Sequence, residues 1–296
     1  MVMFKNSAKA APEVPQAPGV KMSTAKVADN STNKPIIEVR SLGTYFSGLW
    51  VHKNLNLTIY PNRIITIIGA SGCGKTTLVR EILMLQSITE GEILLAGEEI
   101  SKYNIEDANT KLVLSQVGMM FQQGALFSSM TIIENVMFPL QEYTDFSKQT
   151  ILEMAILKLK LAGLSDDAYF KYPKEISPGM QKRVALARTL ALDPKVVFLD
   201  EPTAGLDPNS ASDFDELISN LQQQLGLTVI MITHDLDSIW SISDEIVYLG
   251  EKRVLFHDTV IKAAECKEIP ELYKYFNGPR GKLAKVARIN SVSNQF

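Results

Sequence analysis

The stretch Gly69-Ala70-Ser71-Gly72-Cys73-Gly74-Lys75-Thr76-Thr77 decides the fold class of this chain. Before it lies an apolar run over residues 64–68 with the character of a buried strand, and after it an amphipathic run over residues 78–85 with helical spacing. A glycine-rich turn that ends in Lys-Thr between a strand and a helix is the phosphate-cradling P-loop. The sequence therefore predicts an α/β fold with a phosphate site at this turn.

The residue types of the loop fit this chemistry. Glycines let backbone N–H groups wrap a β-phosphate, and the following helix directs the positive end of its dipole at the same anion. Lys75 then reaches the β- and γ-phosphate oxygens, and the Thr76 hydroxyl ligates Mg²⁺. Cys73 is either a thiol beside the phosphates or a small filler. The predicted nucleotide-binding residues of the loop are Gly69, Ser71, Gly72, Cys73, Gly74, Lys75, Thr76 and Thr77.

The composition is that of an ordinary soluble chain. Of 296 residues, 46% are hydrophobic and 21% are charged, and the formal net charge is −3. This charge supplies no global basic field, so nucleic acid is not an expected partner. The two cysteines form no disulfide framework and fit a reducing compartment. The longest apolar runs are far shorter than the roughly 20 residues that span a bilayer, so we expect no membrane-spanning segment.

Two carboxylates, Asp200 and Glu201, follow the apolar run over residues 196–199. Strand patterns at 196–199 and 227–232 alternate with helical stretches at 180–192 and 210–224, as in parallel βα units. Sheets of this kind bind ligands at the carboxyl edge of their strands. We therefore expect Asp200 to hold the Mg²⁺ shell and Glu201 to polarise the attacking water of a phosphoryl transfer. The alternative is two surface acids that end a strand.

With these elements the chain resembles the ATP-binding subunits of ABC transporters over residues 36–260. The family's parts occur here in its order: Gln122 in Met120-Phe-Gln-Gln matches the Q-loop glutamine, Ile176-Ser-Pro-Gly-Met-Gln-Lys-Arg183 the signature, Glu201-Pro-Thr-Ala-Gly-Leu-Asp207 the segment from Walker B to D-loop, and Thr233-His234 the switch histidine. The resemblance implies an α/β P-loop NTPase with a RecA-like core, an antiparallel β subdomain and an inserted helical subdomain, which hydrolyses ATP with Mg²⁺.

The resemblance also implies a site. Catalysis is expected from Glu201, His234, Gln122 and Lys75, and metal binding from Thr76, Gln122 and Asp200. Phe46 matches the aromatic residue that stacks on adenine, with Tyr45 and Trp50 as nearby competitors. Ser177, Gly179 and Asp207 belong to segments that act on the ATP held by a second subunit, which implies a head-to-tail homodimer.

The chain departs from the family at Pro178, where the signature usually has its first glycine. Proline is tolerated as the first helical residue after a serine N-cap, so Ser177 and Gly179 still offer a hydroxyl and an N–H to an anion. We therefore expect turnover to be preserved.

Three regions are predicted along the chain. Residues 1–35 form a disordered N-terminal arm, with a transit peptide as the alternative. Residues 36–270 form the ABC nucleotide-binding domain, with its helical subdomain at about 125–178. Residues 271–296 form a basic tail that is a solvated end, a clasp over the partner subunit or a contact to anionic lipid.

One branch of the family is favoured by the segment Met119-Met-Phe-Gln-Gln-Gly-Ala-Leu-Phe127, by Met180 and by the ending Tyr275-Phe-Asn-Gly-Pro-Arg-Gly281. These resemble the Mla-type, MCE-associated ATPases of bacterial lipid trafficking. The resemblance implies an ATPase on the cytoplasmic face of the inner membrane that drives phospholipid transport through an integral permease, with an MCE-domain lipid-binding protein as a further partner. The helical subdomain and the loop with Leu126, Phe127 and Met130 would receive the permease, unless these side chains are core.

Two other functions remain open from the sequence. One is the ATPase of a small-solute importer, which has the same fold and a different cargo. The other is a soluble ABC ATPase that works in DNA repair or translation. A single P-loop, a single signature and the lack of a zinc module or long coiled coil argue against the second.

Overall fold

The computed structural model describes residues 34–102, 110 and 113–285. The predicted N-terminal arm over residues 1–35 lies outside the described residues except for its last two, as does the end of the predicted basic tail from residue 286 onwards. The described part contains two β-sheets and a helical subdomain with its own apolar core.

A four-stranded antiparallel sheet forms the first layer. Its strands are β1 (Ile37–Phe46), β2 (Leu49–Ile59), β4 (Glu90–Leu95) and β5 (Glu98–Glu99), in the spatial order β2-β1-β4-β5. The alternation predicted for β2 is present, since Leu55, Leu57 and Ile59 are buried between more exposed neighbours. This layer is the antiparallel β subdomain that the sequence predicts.

A six-stranded sheet forms the centre of the molecule, in the order β10-β9-β3-β8-β7-β6. The strands are β3 (Ile64–Gly69), β6 (Val117–Met120), β7 (Val196–Asp200), β8 (Thr228–Ile232), β9 (Glu245–Gly250) and β10 (Arg253–Thr259). All neighbouring pairs are parallel except β9 with β10. The central strands are continuous apolar runs because both faces of the sheet are buried, one of them in a core shared with the antiparallel sheet.

The helices are α1 (Lys75–Ile82), α2 (Ile132–Tyr143), α3 (Lys148–Leu161), α4 (Pro178–Thr189), α5 (Pro208–Leu225), α6 (Leu236–Ile242), α7 (Val260–Glu265) and α8 (Pro270–Asn277). Helices α2, α3 and α4 pack around a separate apolar core that includes Ile132, Val136, Ile151, Leu159 and Val184. This core is the predicted inserted helical subdomain, so the α/β fold class with both subdomains is confirmed.

The packed structure continues beyond residue 270, where the basic tail was predicted to begin. Leu272 and Phe276 of α8 are buried, and the Phe276 ring contacts Trp240 edge-on at 5.7 Å between centroids. Residues 279–285 are also helical, with Ala284 buried in the same cluster. Leu272 and Phe276 are spaced as on one face of a helix, but the basic residues that follow them in the sequence suggested a solvated tail. Within the described residues, no helix is long and apolar enough to cross a membrane.

Candidate functional site

The predicted catalytic and metal-binding residues converge on one edge of the central sheet. The P-loop follows β3, His234 follows β8, Asp200 and Glu201 end β7, and Gln122 follows β6. Because these four strands are parallel and adjacent in the order β3-β8-β7-β6, their carboxyl ends meet along one line. Segments far apart in the chain are thus brought together at the edge where such sheets bind ligands.

The P-loop adopts backbone conformations that favour glycine. Gly72 and Gly74 have φ angles of 78° and 102°, and a Cβ atom on Gly74 would lie 2.4 Å from His52 Nε2. Helix α1 begins at Lys75 with Gly74 as its N-cap, so no side chain caps its first N–H groups. The loop therefore presents a helix N-terminus suited to an anion.

Side chains of the loop are placed as a phosphate site requires. Lys75 Nζ donates to the carbonyl oxygens of Gly69 and Ala70 at 2.8 and 3.0 Å, which holds the ammonium over its own loop. Ser71 and Thr76 are exposed, whereas Cys73 and Thr77 are half-buried.

Glu201 is fixed from several directions. Its backbone N–H donates to Ile232 O at 2.8 Å, and its φ of 45° lies in the left-handed region. Its Oε2 accepts a hydrogen bond from Thr233 Oγ1 at 3.1 Å, and its Oε1 lies 2.7 Å from His234 Nδ1. The predicted base and the predicted switch histidine are therefore direct partners.

Asp200 lies one residue before Glu201 at the end of β7 and is half-buried. Burial raises the pKa of its carboxyl, and the Glu201 carboxylate acts in the same direction, whereas Arg80, Lys182 and Lys75 oppose the shift. Three cations thus face this pair of acids, and a bound divalent cation would act in the same sense as they do.

The signature residues lie at the start of helix α4. Ser177 is the N-cap of α4, where its Oγ accepts from Met180 N at 3.2 Å, and Pro178 is the first helical residue as predicted. A Cβ atom on Gly179 would meet no atom within 4 Å, so this helix end is open. Pro178 lines a cavity of about 320 Å³ with Gln122 and Gly205, and no P-loop residue lines it.

The two remaining predicted residues, Asp207 and Phe46, lie at the start of helix α5 and at the end of strand β1. Asp207 is the N-cap of α5, and hydrogen bonds from Ser210 Oγ, at 2.6 Å, and from the backbone of Ser210 lower the pKa of its carboxyl. Phe46 ends β1 with 66% of its surface exposed. Tyr45 contacts Trp50 edge-on at 5.3 Å, which leaves Phe46 as the free ring of this hairpin.

Three side chains of the site were given no role from the sequence, although Lys182 and Tyr275 lie within motifs quoted above. Lys182 Nζ donates to the carbonyl oxygens of Gln122 and Glu201, at 2.5 and 3.2 Å. Arg188 donates to the carbonyls of Gly124 and Ala125, and Tyr275 OH donates to His234 O at 3.0 Å. Basic residues on a helix usually indicate a solvated face, so nothing in the sequence pattern distinguished Lys182 and Arg188 from their neighbours.

Comparison with known proteins identifies the family. The family model described as ABC transporter matches residues 52–204, more than half of the chain. The intermembrane phospholipid transport system ATP-binding protein MlaF of Haemophilus influenzae is 36% identical over 227 residues, 77% of this chain and 85% of that protein. The chain belongs to the ABC transporter family. As an ATP-binding cassette of that family it is an ATPase, which confirms the activity predicted from its motifs.

Other ABC transporter family members extend the comparison. MlaF of Escherichia coli K12 is 33% identical over 243 residues, 82% of this chain and 89% of that protein. The methionine import ATP-binding protein MetN of Haemophilus influenzae is 38% identical over 209 residues, 70% of this chain and 59% of that protein. The two MlaF matches confirm the predicted resemblance to the Mla-type ATPases.

Solved ABC cassettes share the fold. The dimeric cassette MJ0796, in a post-hydrolysis state with ADP and Pi, has a TM-score of 0.68 at 30% identity and covers 76% of this chain and 98% of its own. The cassette cbiO1 of Clostridium perfringens has a TM-score of 0.72 at 29% identity and covers 84% of this chain and 98% of its own.

Proposed function

We propose that this ATPase drives phospholipid transport between the inner and outer membranes through a partner permease. Two MlaF proteins named for intermembrane phospholipid transport match more than three quarters of the chain, and the chain covers at least 85% of each. This nearly full coverage supports the proposal, because MetN, named for methionine import, is matched over only 59% of its length. Its place would be the cytoplasmic face of the bacterial inner membrane, bound to the permease.

The site residues divide the work of hydrolysis. P-loop N–H groups and the Lys75 ammonium would hold the phosphates, and Phe46 would stack on adenine. Glu201, oriented by Thr233 and His234, would align and polarise the attacking water, and His234 would contact the γ-phosphate. This pairing of Glu201 with His234 beside the P-loop is the observation that supports hydrolysis at this edge most directly.

The donors near the P-loop fit Mg²⁺. Thr76 offers a hydroxyl, Asp200 a carboxylate and Gln122 an amide oxygen, which are the hard oxygen ligands that Mg²⁺ prefers. No group of three or more acidic, histidine or cysteine side chains among the described residues could hold a metal ion by itself. Phosphate oxygens would therefore complete the shell, and the ion would neutralise charge on the phosphates during transfer.

A head-to-tail homodimer accounts for the position of the signature. Ser177 and Gly179 lie at an open helix end, which suits contact with nucleotide held by a second copy. Asp207, in the D-loop segment, would take part in the same contact. The structures of dimeric MJ0796 support the pairing of two copies.

The exposed side chain of Phe127 supports a docking site for the permease in the loop after Gln122. Phe127 is 41% exposed, and its ring contacts Phe138 and the Arg188 guanidinium, whereas Leu126 packs against the core and Met130 is half-buried. We expect Phe127→Asp to abolish permease binding without unfolding the chain. Leu225→Asp, at an exposed position of α5, is the matched control.

The cargo is tested by purifying the tagged chain in mild detergent and identifying its co-purifying proteins and lipids by mass spectrometry. A permease, an MCE-domain protein and bound phospholipid would support the proposal. A permease with a periplasmic solute-binding protein would instead establish the importer that the MetN match allows.

A further inference from the structure

Lys182 is a buried lysine between two loops of the site. It lies on α4, and 7% of its surface is exposed. Its ammonium donates to Gln122 O, in the loop after β6, and to Glu201 O, at the end of β7. One side chain of the helical subdomain is thus bonded to the backbones of two residues that belong to the proposed reaction.

The surroundings of Lys182 indicate a role beyond stability. Burial lowers the pKa of its ammonium, and the nearby charges of Glu201 and Asp200 oppose this effect. Its hydrogen-bond partners are neutral carbonyl oxygens, so no directly bonded carboxylate compensates the cost of burying the charge. A lysine in this setting is a poor device for stabilising the fold.

The bond to Glu201 acts on an unusual backbone. With a φ of 45°, Glu201 is in a conformation that residues other than glycine rarely adopt. Its N–H is bonded to β8, and its carbonyl is bonded to Lys182. Because the carboxylate direction follows from this backbone, release of the carbonyl would loosen the aim of the carboxylate.

The segment that contains Gln122 is attached to the same helix. Arg188, two turns after Lys182 on α4, donates to the carbonyls of Gly124 and Ala125 at 2.7 and 2.9 Å. Helix α4 and residues 122–125 are therefore bonded together at both ends of the segment. Of these two basic side chains, Lys182 is the one that also reaches Glu201.

We propose that Lys182 is a positioning residue for ATP hydrolysis, which holds Glu201 in its reactive conformation and links it to the Gln122 loop. Any displacement of helix α4 with that loop would then be transmitted to the base through one ammonium. The inference rests on the roles proposed for Glu201 and Gln122, and it concerns the rate of the chemical step rather than nucleotide binding.

Lys182→Met tests the proposal because it keeps the length of the side chain and removes both hydrogen bonds. In the full-length protein we expect kcat to fall at least about tenfold, because small misplacements of catalytic groups are costly. Equilibrium affinity for a fluorescent ATP analogue should change less than about threefold. Lys182→Arg should restore most of kcat, since the adjoining cavity of about 320 Å³ gives a guanidinium room.

Lys158→Met is the matched control, because Lys158 is also buried in the helical subdomain but bonds to Asp193, away from the site. We expect it to lower the Tm and leave kcat unchanged. The inference is overturned if Lys182→Met behaves like this control. If Lys182→Met does not fold, Lys182→Leu replaces it, because leucine also has no donor for the two carbonyl oxygens, and a wild-type kcat there overturns the inference equally.

Glu201→Gln separates this inference from the proposed site. It should bind the analogue and lose turnover. Normal turnover in Glu201→Gln would refute the assignment of the base itself. Lost turnover in Glu201→Gln with normal turnover in Lys182→Met would refute the role of Lys182 alone.

Discussion

Glu201, the proposed catalytic acid residue, is held in place by several neighbours in the absence of substrate. Its backbone is held by Ile232 and Lys182, and its carboxylate is held by Thr233 and His234. Fixing a group in advance lowers the reorganisation that the reaction must supply. Part of the strain at its positive φ is offset by these contacts, so the site is ordered by many weak bonds rather than by one strong one.

Asp215 lies in an environment that disfavours its charged form, so its effect on the stability of the protein depends on pH. It is buried on α5, its Oδ1 has no hydrogen-bond partner among the described residues, and burial raises its pKa to about 7 against the opposing effect of a hydrogen bond with Ser238. Because the folded pKa exceeds the unfolded value of about 3.9, the folded state binds the extra proton, and stability falls as pH rises from about 4 to 7.

We therefore expect Asp215→Asn to be more stable than wild type at pH 8, by no more than about 4 kcal/mol, with a much smaller gain at pH 5. Urea unfolding at both pH values measures the difference. An identical gain at the two pH values would show that Asp215 does not titrate in this range.

At residue scale, the sequence predicted that Glu201 and His234 belong to one site, and it gave no role to the side chains that bond to their backbone. Glu201 and His234 occur in motifs whose order is informative. Lys182 and Tyr275 act through their contacts with backbone carbonyls, at 3.2 Å from Glu201 O and 3.0 Å from His234 O. A contact with a backbone group places no demand on the partner's side chain, so it leaves no pattern to read.

At the scale of elements, burial decided which strands were predictable. Strands β7 and β8 are continuous apolar runs and were expected. Strand β6 has four residues, including Gly118, and β10 is a half-buried edge strand, so neither stands out from its surroundings. Helix α8 was hidden because its two buried residues, Leu272 and Phe276, lie among charged and polar neighbours.

The start of helix α4 gives a prediction about Pro178. Proline fits the first helical position after the Ser177 cap, so Pro178→Gly should leave turnover within about twofold and lower stability by about 1 kcal/mol. Steady-state ATPase assays and thermal unfolding measure both. A large rise in turnover would mean that the natural proline impairs the site.

The contact between β2 and helix α1 gives a second prediction. His52 and Glu81 are fully buried beneath the P-loop, with His52 Nδ1 3.2 Å from Glu81 Oε2, and Thr44 donates to the same carboxyl group. His52→Phe would leave the carboxyl buried with only Thr44, so we expect a loss of about 3 kcal/mol or more.

The double variant His52→Phe with Glu81→Leu should recover most of this loss, because no buried acid remains. Chemical denaturation of the wild type, both single variants and the double variant completes the cycle. Additive losses would show that the two side chains do not interact.

At the scale of the whole molecule, the site is open where a second copy is expected. Gly179, at the signature end of α4, has space for a larger side chain among the described residues. A substitution there should therefore disturb an intermolecular contact without disturbing the fold.

We expect Glu201→Gln protein to dimerise when Mg²⁺ and ATP are added, because nucleotide is retained. Adding Gly179→Asp should keep the protein monomeric and leave the affinity of the single chain for ATP unchanged. Light scattering and nucleotide titration measure the two properties. A parallel loss of affinity would place the signature at its own chain's nucleotide.

The order of strands also has a consequence for synthesis. Both hydrogen-bonded neighbours of β3, which are β8 and β9, begin at or after residue 228. A ribosome therefore exposes the P-loop strand, which ends at Gly69, without its sheet partners until synthesis has reached Thr228, a period in which unpaired strands are prone to misassociation. Nucleotide can stabilise the P-loop only after β8 and β9 have paired with β3. ATP binding therefore stabilises the folded cassette and does not assist the earlier steps of folding.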